Sequence, residues 1–163
     1  MVYALHIVVV LAFAAMLLWA AGEDVRRLTI ENWVSLSIVG LYPIHVLASP
    51  VPVNWLMSVV IAAGTFAVGF ALFARKLFGG GDVKLLTATA LWAGPSLFPS
   101  FIFLMSIAGG VIAGVMLLNR WRAAPAGGDE TGRKAGPAVM PYGVAIAVGG
   151  LMVAGTLLSE AKL

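Results

Sequence analysis

The run YALHIVVVLAFAAMLLWAAG, residues 3–22, carries no Asp, Glu, Lys or Arg. A helix of about 20 such residues crosses a hydrocarbon core of roughly 30 Å, so the stretch reads as a membrane span. It is longer than the roughly 7–15-residue apolar core of a secretory signal and no basic residue precedes it, which makes it a retained first span. Outward from it, apolar runs recur between charged or Pro/Gly-rich breaks at about 33–48, 55–74, 84–97, 98–119 and 139–158. The expected architecture is all-α: a polytopic integral membrane protein of about six transmembrane helices, forming a single membrane domain over residues 1–163. Pro95 and Pro99 stand where the fourth span meets the fifth, and proline removes a backbone donor and disfavours helix before it.

Composition closes off other classes. The chain is 61% hydrophobic and only 10% charged, whereas soluble domains carry roughly 25% charged residues, so its partner is the lipid bilayer. The net charge of +3 does not point to nucleic acid, because the basic residues sit in short loops between apolar runs, where they orient the chain. Cysteine is absent, which excludes disulfides, thiol chemistry and cysteine-held metal. Arg26 and Arg27 follow the first span, Arg75, Lys76 and Lys84 the third, and Arg120, Arg122, Arg133 and Lys134 the fifth. The loops near 49–54 and 94–99 carry none, and only Lys162 falls on the other side. The positive-inside rule therefore puts the basic loops in the cytoplasm and both termini outside. Trp33, Trp55 and Trp121 lie near span ends, where indole rings favour the headgroup layer. Residues 123–138, rich in Gly, Pro and mixed charge, read as a flexible cytoplasmic loop. Gly110-x-x-x-Gly114 and Ala145-x-x-x-Gly149 have the small-residue spacing of close helix packing, expected here within the bundle.

Acidic side chains beside hydrocarbon are costly unless they line a polar site, and the chain has only seven. Asp129, Glu130 and Glu160 fall in the loop and tail, leaving Glu23, Asp24, Glu31 and Asp82. Asp24 closes the first span and Asp82 opens the fourth, both at the cytoplasmic boundary. Brought together by packing, two carboxylates cannot readily both ionise; one would act as base for a water and the other as acid. Gly79-Gly80-Gly81 before Asp82 removes the side chains that keep another backbone away and leaves room for an extended substrate. Each feature alone has a plainer reading: a loop for the glycines, a helix-dipole partner for Asp82, arginine pairing for Asp24. His6 and His45, near the outer span ends and without metal-ligand spacing, read as packed or interfacial histidines. The Pro141-Tyr142-Gly143 break loosens the start of the last span at the same cytoplasmic face.

These residues form three blocks. Asp24-Val25-Arg26-Arg27-Leu28-Thr29-Ile30-Glu31-Asn32 resembles the first motif of type IV prepilin peptidases, an Asp followed by a basic stretch and Ile-Pro-Asn, with Glu31 in place of the proline. Gly79-Gly80-Gly81-Asp82-Val83-Lys84 resembles their GxGD motif with its lysine, and Met140-Pro141-Tyr142-Gly143 their last-span signature. The resemblance covers nearly the whole chain and implies an aspartic endopeptidase of the prokaryotic cytoplasmic membrane that removes the basic leader from a prepilin-like membrane protein at the cytoplasmic face. It is closest in size to the short branch serving Flp or tight-adherence pili and to archaeal preflagellin enzymes. It implies Asp24 and Asp82 as the catalytic pair, and Gly79, Gly80, Gly81, Lys84, Asn32, Pro141, Tyr142 and Gly143 as supporting or substrate-binding residues. No metal or cofactor is implied. The longer members carry an N-terminal region with a four-cysteine metal site and also N-methylate their product; with neither such a region nor any cysteine in this sequence, methylation is not expected here. Two other classes fit the span pattern: a proton-coupled transporter, whose acids belong near mid-bilayer between repeated halves, and a non-catalytic scaffold for pilus assembly, which needs neither acid.

Overall fold

The apolar face of the first run becomes a buried stripe. The computed structural model describes residues 2–122 and 140–160. Its helix α1 (Val2–Arg27) buries His6, Val10, Phe13, Leu17, Ala20 and Asp24, alternating steps of four and three that keep one face inward. A polar residue thus stands at each end of the stripe, about 27 Å apart at 1.5 Å per residue. The other face shows Leu5, Val8, Leu11 and Leu18 to the outside. Large apolar residues are exposed on the other helices too, with Leu36 at 69% and Leu47 at 84%, a surface that suits lipid and would aggregate in water.

Four further helices follow: α2 (Asn32–Ala48), α3 (Trp55–Ala74), α4 (Gly80–Arg122) and α5 (Tyr142–Glu160). Among the described residues there is no strand. Helices α1, α3, α4 and α5 are long and apolar enough to cross a membrane, while α2 is a shorter apolar helix of 17 residues. Helix α4 packs against α2, α3 and α5, and α1 against α2 and α5.

Helix α4 is two limbs rather than one rod. Gly94 leaves helical geometry at φ 57°, ψ −171°, and Pro95 begins the next limb. The left-handed backbone suits glycine, and proline is pre-organised for a first helical turn where its missing N–H is not needed. A Cβ at Gly94 would also lie 2.9 Å from Ser58 Oγ. The break therefore falls at Gly94, ahead of the expected division between 97 and 98, because glycine supplies the backbone freedom and Pro95 only the restart. Among the other boundaries that move, α1 runs on through Asp24 to Arg27, and α4 begins at Gly80 instead of 84. Helix α1 ends on Leu28, at φ 53°, whose N–H donates to Asp24 O at 2.9 Å. Helix α3 ends on Lys76, at φ 59°, with the paired Lys76→Phe73 and Leu77→Leu72 bonds of a left-handed cap.

The core centres on Trp92, whose indole N–H donates to Ile38 O at 2.9 Å and whose ring stacks on Phe13 with centroids 4.2 Å apart. Gly149 lets the Phe101 backbone approach, since a Cβ there would lie 2.9 Å from Phe101 O. The Ala145/Gly149 spacing thus serves packing inside the bundle, as expected. Gly110 and Gly114 do not: both are exposed, and a Cβ on either would meet nothing within 4 Å. Gly109, not Gly110, is the glycine that faces Ala145. Residues 123–138, read from sequence as a flexible loop, lie outside the described residues, as do Arg133, Lys134 and Lys162.

Candidate active site

The end of α1, the start of α4 and the start of α5 converge. Asp24 is 3% exposed, and its Oδ2 accepts a hydrogen bond from the Gly143 backbone N–H at 2.7 Å. The Val144 N–H also points to this carboxylate. The first turn of a helix has backbone donors with no partner of their own, and a carboxylate is well suited to take them. Asp82, half-buried in the first turn of α4, reaches back to the Gly79 backbone N–H, a self-capping arrangement. The Asp24 and Asp82 carboxylates are close enough for their charges to act on each other.

Ile30 fastens the corner. The Gly81 and Gly143 positions both press on it: a Cβ at Gly81 would lie 3.1 Å from Ile30 O, and one at Gly143 2.9 Å from Ile30 Cδ1 and 2.8 Å from Asp24 Oδ2. The backbone that the glycine run admits in this structure is therefore the chain's own. Gly80 faces the Phe73 ring and Gly79 the Asp82 carboxylate, and none of the three has positive φ, so close approach rather than conformational freedom accounts for them. Lys84 turns away from the acids and donates from Nζ to Asn32 Oδ1 at 2.8 Å, joining the first block to the second. Tyr142 stacks on Phe78, centroids 4.6 Å apart, joining the third block to the residue just ahead of the second. Pro141 is half-buried just ahead of α5.

The arginines leave Asp24 alone. Arg26 and Arg27 are exposed, and the ion pair found among the described residues joins Arg27 to Glu31 at 3.9 Å. Glu31 also accepts from Trp33 Nε1 and is directed outward, away from the Asp24 carboxylate. Glu23 shares none of the Gly143 geometry and lines a surface cavity with Trp19 and Arg26. Ile30 and Phe78 were not singled out from sequence. Ile30 lies within the first block and Phe78 directly precedes the glycines, but nothing in their residue type announces a contact made across the fold.

Both acids lie outside the apolar runs, Asp24 past residue 22 and Asp82 before residue 84. Burial pushes Asp82 up to about 6, the nearby Asp24 charge adds to the rise, and the Gly79 N–H opposes it. Burial also pushes Asp24 upward, against the pull of two backbone N–H groups. Asp82 thus takes up a proton more readily than an isolated carboxyl does, while the amides at the start of α5 favour the anion of Asp24.

A family model described as the type IV leader peptidase family matches residues 11–114. The match spans more than half of the chain and includes both aspartates, the glycine run and Lys84; the Pro141-Tyr142-Gly143 block lies beyond it. No curated protein and no solved structure matches the chain.

Proposed function

Because this chain belongs to the type IV leader peptidase family, we propose that it is an aspartic endopeptidase that removes the basic leader of a prepilin-like membrane protein, Flp-like in its short form, at the cytoplasmic face. The observation that carries the reading is the meeting of Asp24 and Asp82 in one corner with unequal hydrogen-bond partners. Asp24, held by helix-start amides, is the base. It takes a proton from a water as the oxygen attacks the scissile carbonyl carbon, while Asp82 gives its proton to the carbonyl oxygen. Collapse of the tetrahedral intermediate breaks the C–N bond. The proton on Asp24 passes to the leaving nitrogen, and Asp82 recovers one from the intermediate's hydroxyl.

Six crossings, counting the limbs of α4 separately, account for placing this corner on the basic side. With nine of ten Lys and Arg residues there, a positively charged leader and the acids share a compartment. The substrate's apolar helix stays in the bilayer beside the enzyme, which presents its peptide bond without a search through solution. Lys84 and Asn32, tied together, brace the start of α4. Boundary placement separates this reading from a proton-coupled transporter, whose acids belong at mid-bilayer. The test uses purified wild type, Asp24→Asn and Asp82→Asn, each mixed in micelles with a prepilin-like substrate. Wild type is expected to release the leader and each variant to fall by at least roughly 10³-fold. Cleavage by either variant at the wild-type rate would sink the dyad, and an inactive wild type paired with a functional pilus would favour a scaffold.

A further inference from the structure

An apolar groove of about 450 Å³ lies between α3 and the second limb of α4. One wall is a single face of α3. Its Ile61, Gly64, Thr65, Val68 and Leu72 recur at steps of three and four, over about 16.5 Å at 1.5 Å per residue. Phe98 and Ile102 supply the other wall, and Leu86 of the first limb also lines the groove. Among these lining residues none is charged, and Thr65 is the one polar side chain. Val68 is 64% exposed, and a Cβ at Gly64 would meet nothing within 4 Å, so α3 leaves this face free at both positions.

The end of the groove at Leu72 adjoins the candidate active site. Leu86 follows Asp82 by one turn on the same face of α4. Phe78, which also lines the groove, stacks on Tyr142, the residue before the Gly143 whose N–H holds Asp24. We propose that this groove receives the apolar helix of the membrane protein that the peptidase cleaves, and presents the bond at the helix's leader end to Asp24 and Asp82. The proposal rests on the peptidase reading. Charge favours this occupant: a lining without charge that ends at two acids complements a chain that is apolar along its helix and basic just before it. Length agrees, since about 16.5 Å covers half of a hydrocarbon core of roughly 30 Å, the half beside the acids. Apolar side chains gain little by leaving lipid for protein, so close packing decides such contacts, and Gly64 lets a backbone come near. Nothing in the sequence of α3 marks this face, because the opposite wall comes from beyond the Gly94 break.

Photo-crosslinking tests the groove directly. Val68→benzoylphenylalanine, in the full chain carrying Asp82→Asn, is illuminated in micelles with the prepilin-like substrate used for the aspartate variants. A covalent adduct with the substrate is expected from Val68 and is expected to be lost when the probe replaces Leu18, which is 58% exposed on α1. In the active chain, Gly64→Leu fills the groove without touching either acid and should raise KM on the order of tenfold with kcat unchanged, the mark of lost binding. Gly110→Leu, at an equally open glycine on α4, should match wild type. No adduct from Val68, an equal adduct from Leu18, an adduct to a second copy of this chain instead of substrate, or wild-type kinetics in Gly64→Leu overturns the groove. A wild type that never cleaves sinks the peptidase reading, and the adduct from Val68 still decides where the helix docks.

Discussion

Asp24 and Asp82 are the same residue type in one corner, and their backbone partners make them different. Gly143 shows how tightly that difference is built, since a methyl group there would meet Asp24 Oδ2 at 2.8 Å and must displace the carboxylate or Ile30. Gly143→Ala should lower kcat on the order of 10²-fold while leaving KM near wild type, as measured by leader release under saturating and limiting substrate. Asp82 supplies a pH signature. Its folded pKa of about 6 lies above the 3.8 of an unperturbed carboxyl, so the folded state binds the proton more tightly than the unfolded chain does. The stability this group contributes is complete below 3.8 and is lost as pH rises through about 6. Asp82→Asn, which cannot ionise, should therefore unfold at a higher temperature than wild type at pH 7.5, with the gap closing by pH 4. Both aspartates and the glycine run were legible in sequence because boundary acids are few in so apolar a chain. What Gly143 does was not, since the bond to Asp24 joins residues 119 positions apart.

At the scale of elements, apolar length alone located the helices, whereas their ends depended on local geometry that hydropathy does not encode. The charged last turn of α1 stays helical because Leu28 closes it in a left-handed cap, and this extra turn carries Asp24 inward. Pro95 drew attention to the right region of α4, but the residue that breaks the helix is the glycine before it. Gly94→Ala combines a left-handed backbone with a Cβ 2.9 Å from Ser58 Oγ, and should cost about 1–3 kcal/mol in reversible unfolding. Gly110 and Gly114 show the opposite limit: their spacing is that of a helix contact, yet the face they share is open, because periodicity reports a stripe of small residues and not what lies across from it.

For the whole molecule, the proposed orientation rests on charge asymmetry and can be read directly because the chain has no cysteine. Thr29 and Pro50 are exposed at opposite ends of α2. In intact cells a membrane-impermeant maleimide should label Pro50→Cys and spare Thr29→Cys until the membrane is opened; the reverse pattern refutes the orientation. The stripe on α1 has His6 at one end, Asp24 at the other and apolar Val10, Phe13, Leu17 and Ala20 between them. The Gly143–Asp24 bond has a bearing on biosynthesis as well. A ribosome making roughly 5–20 residues per second takes several seconds to travel from Asp82 to Gly143, a distance of about 60 residues. Throughout that interval the nascent chain already carries both acids but not the amides that orient Asp24. If Asp24 is the base proposed above, the peptidase is complete only once its last helix arrives.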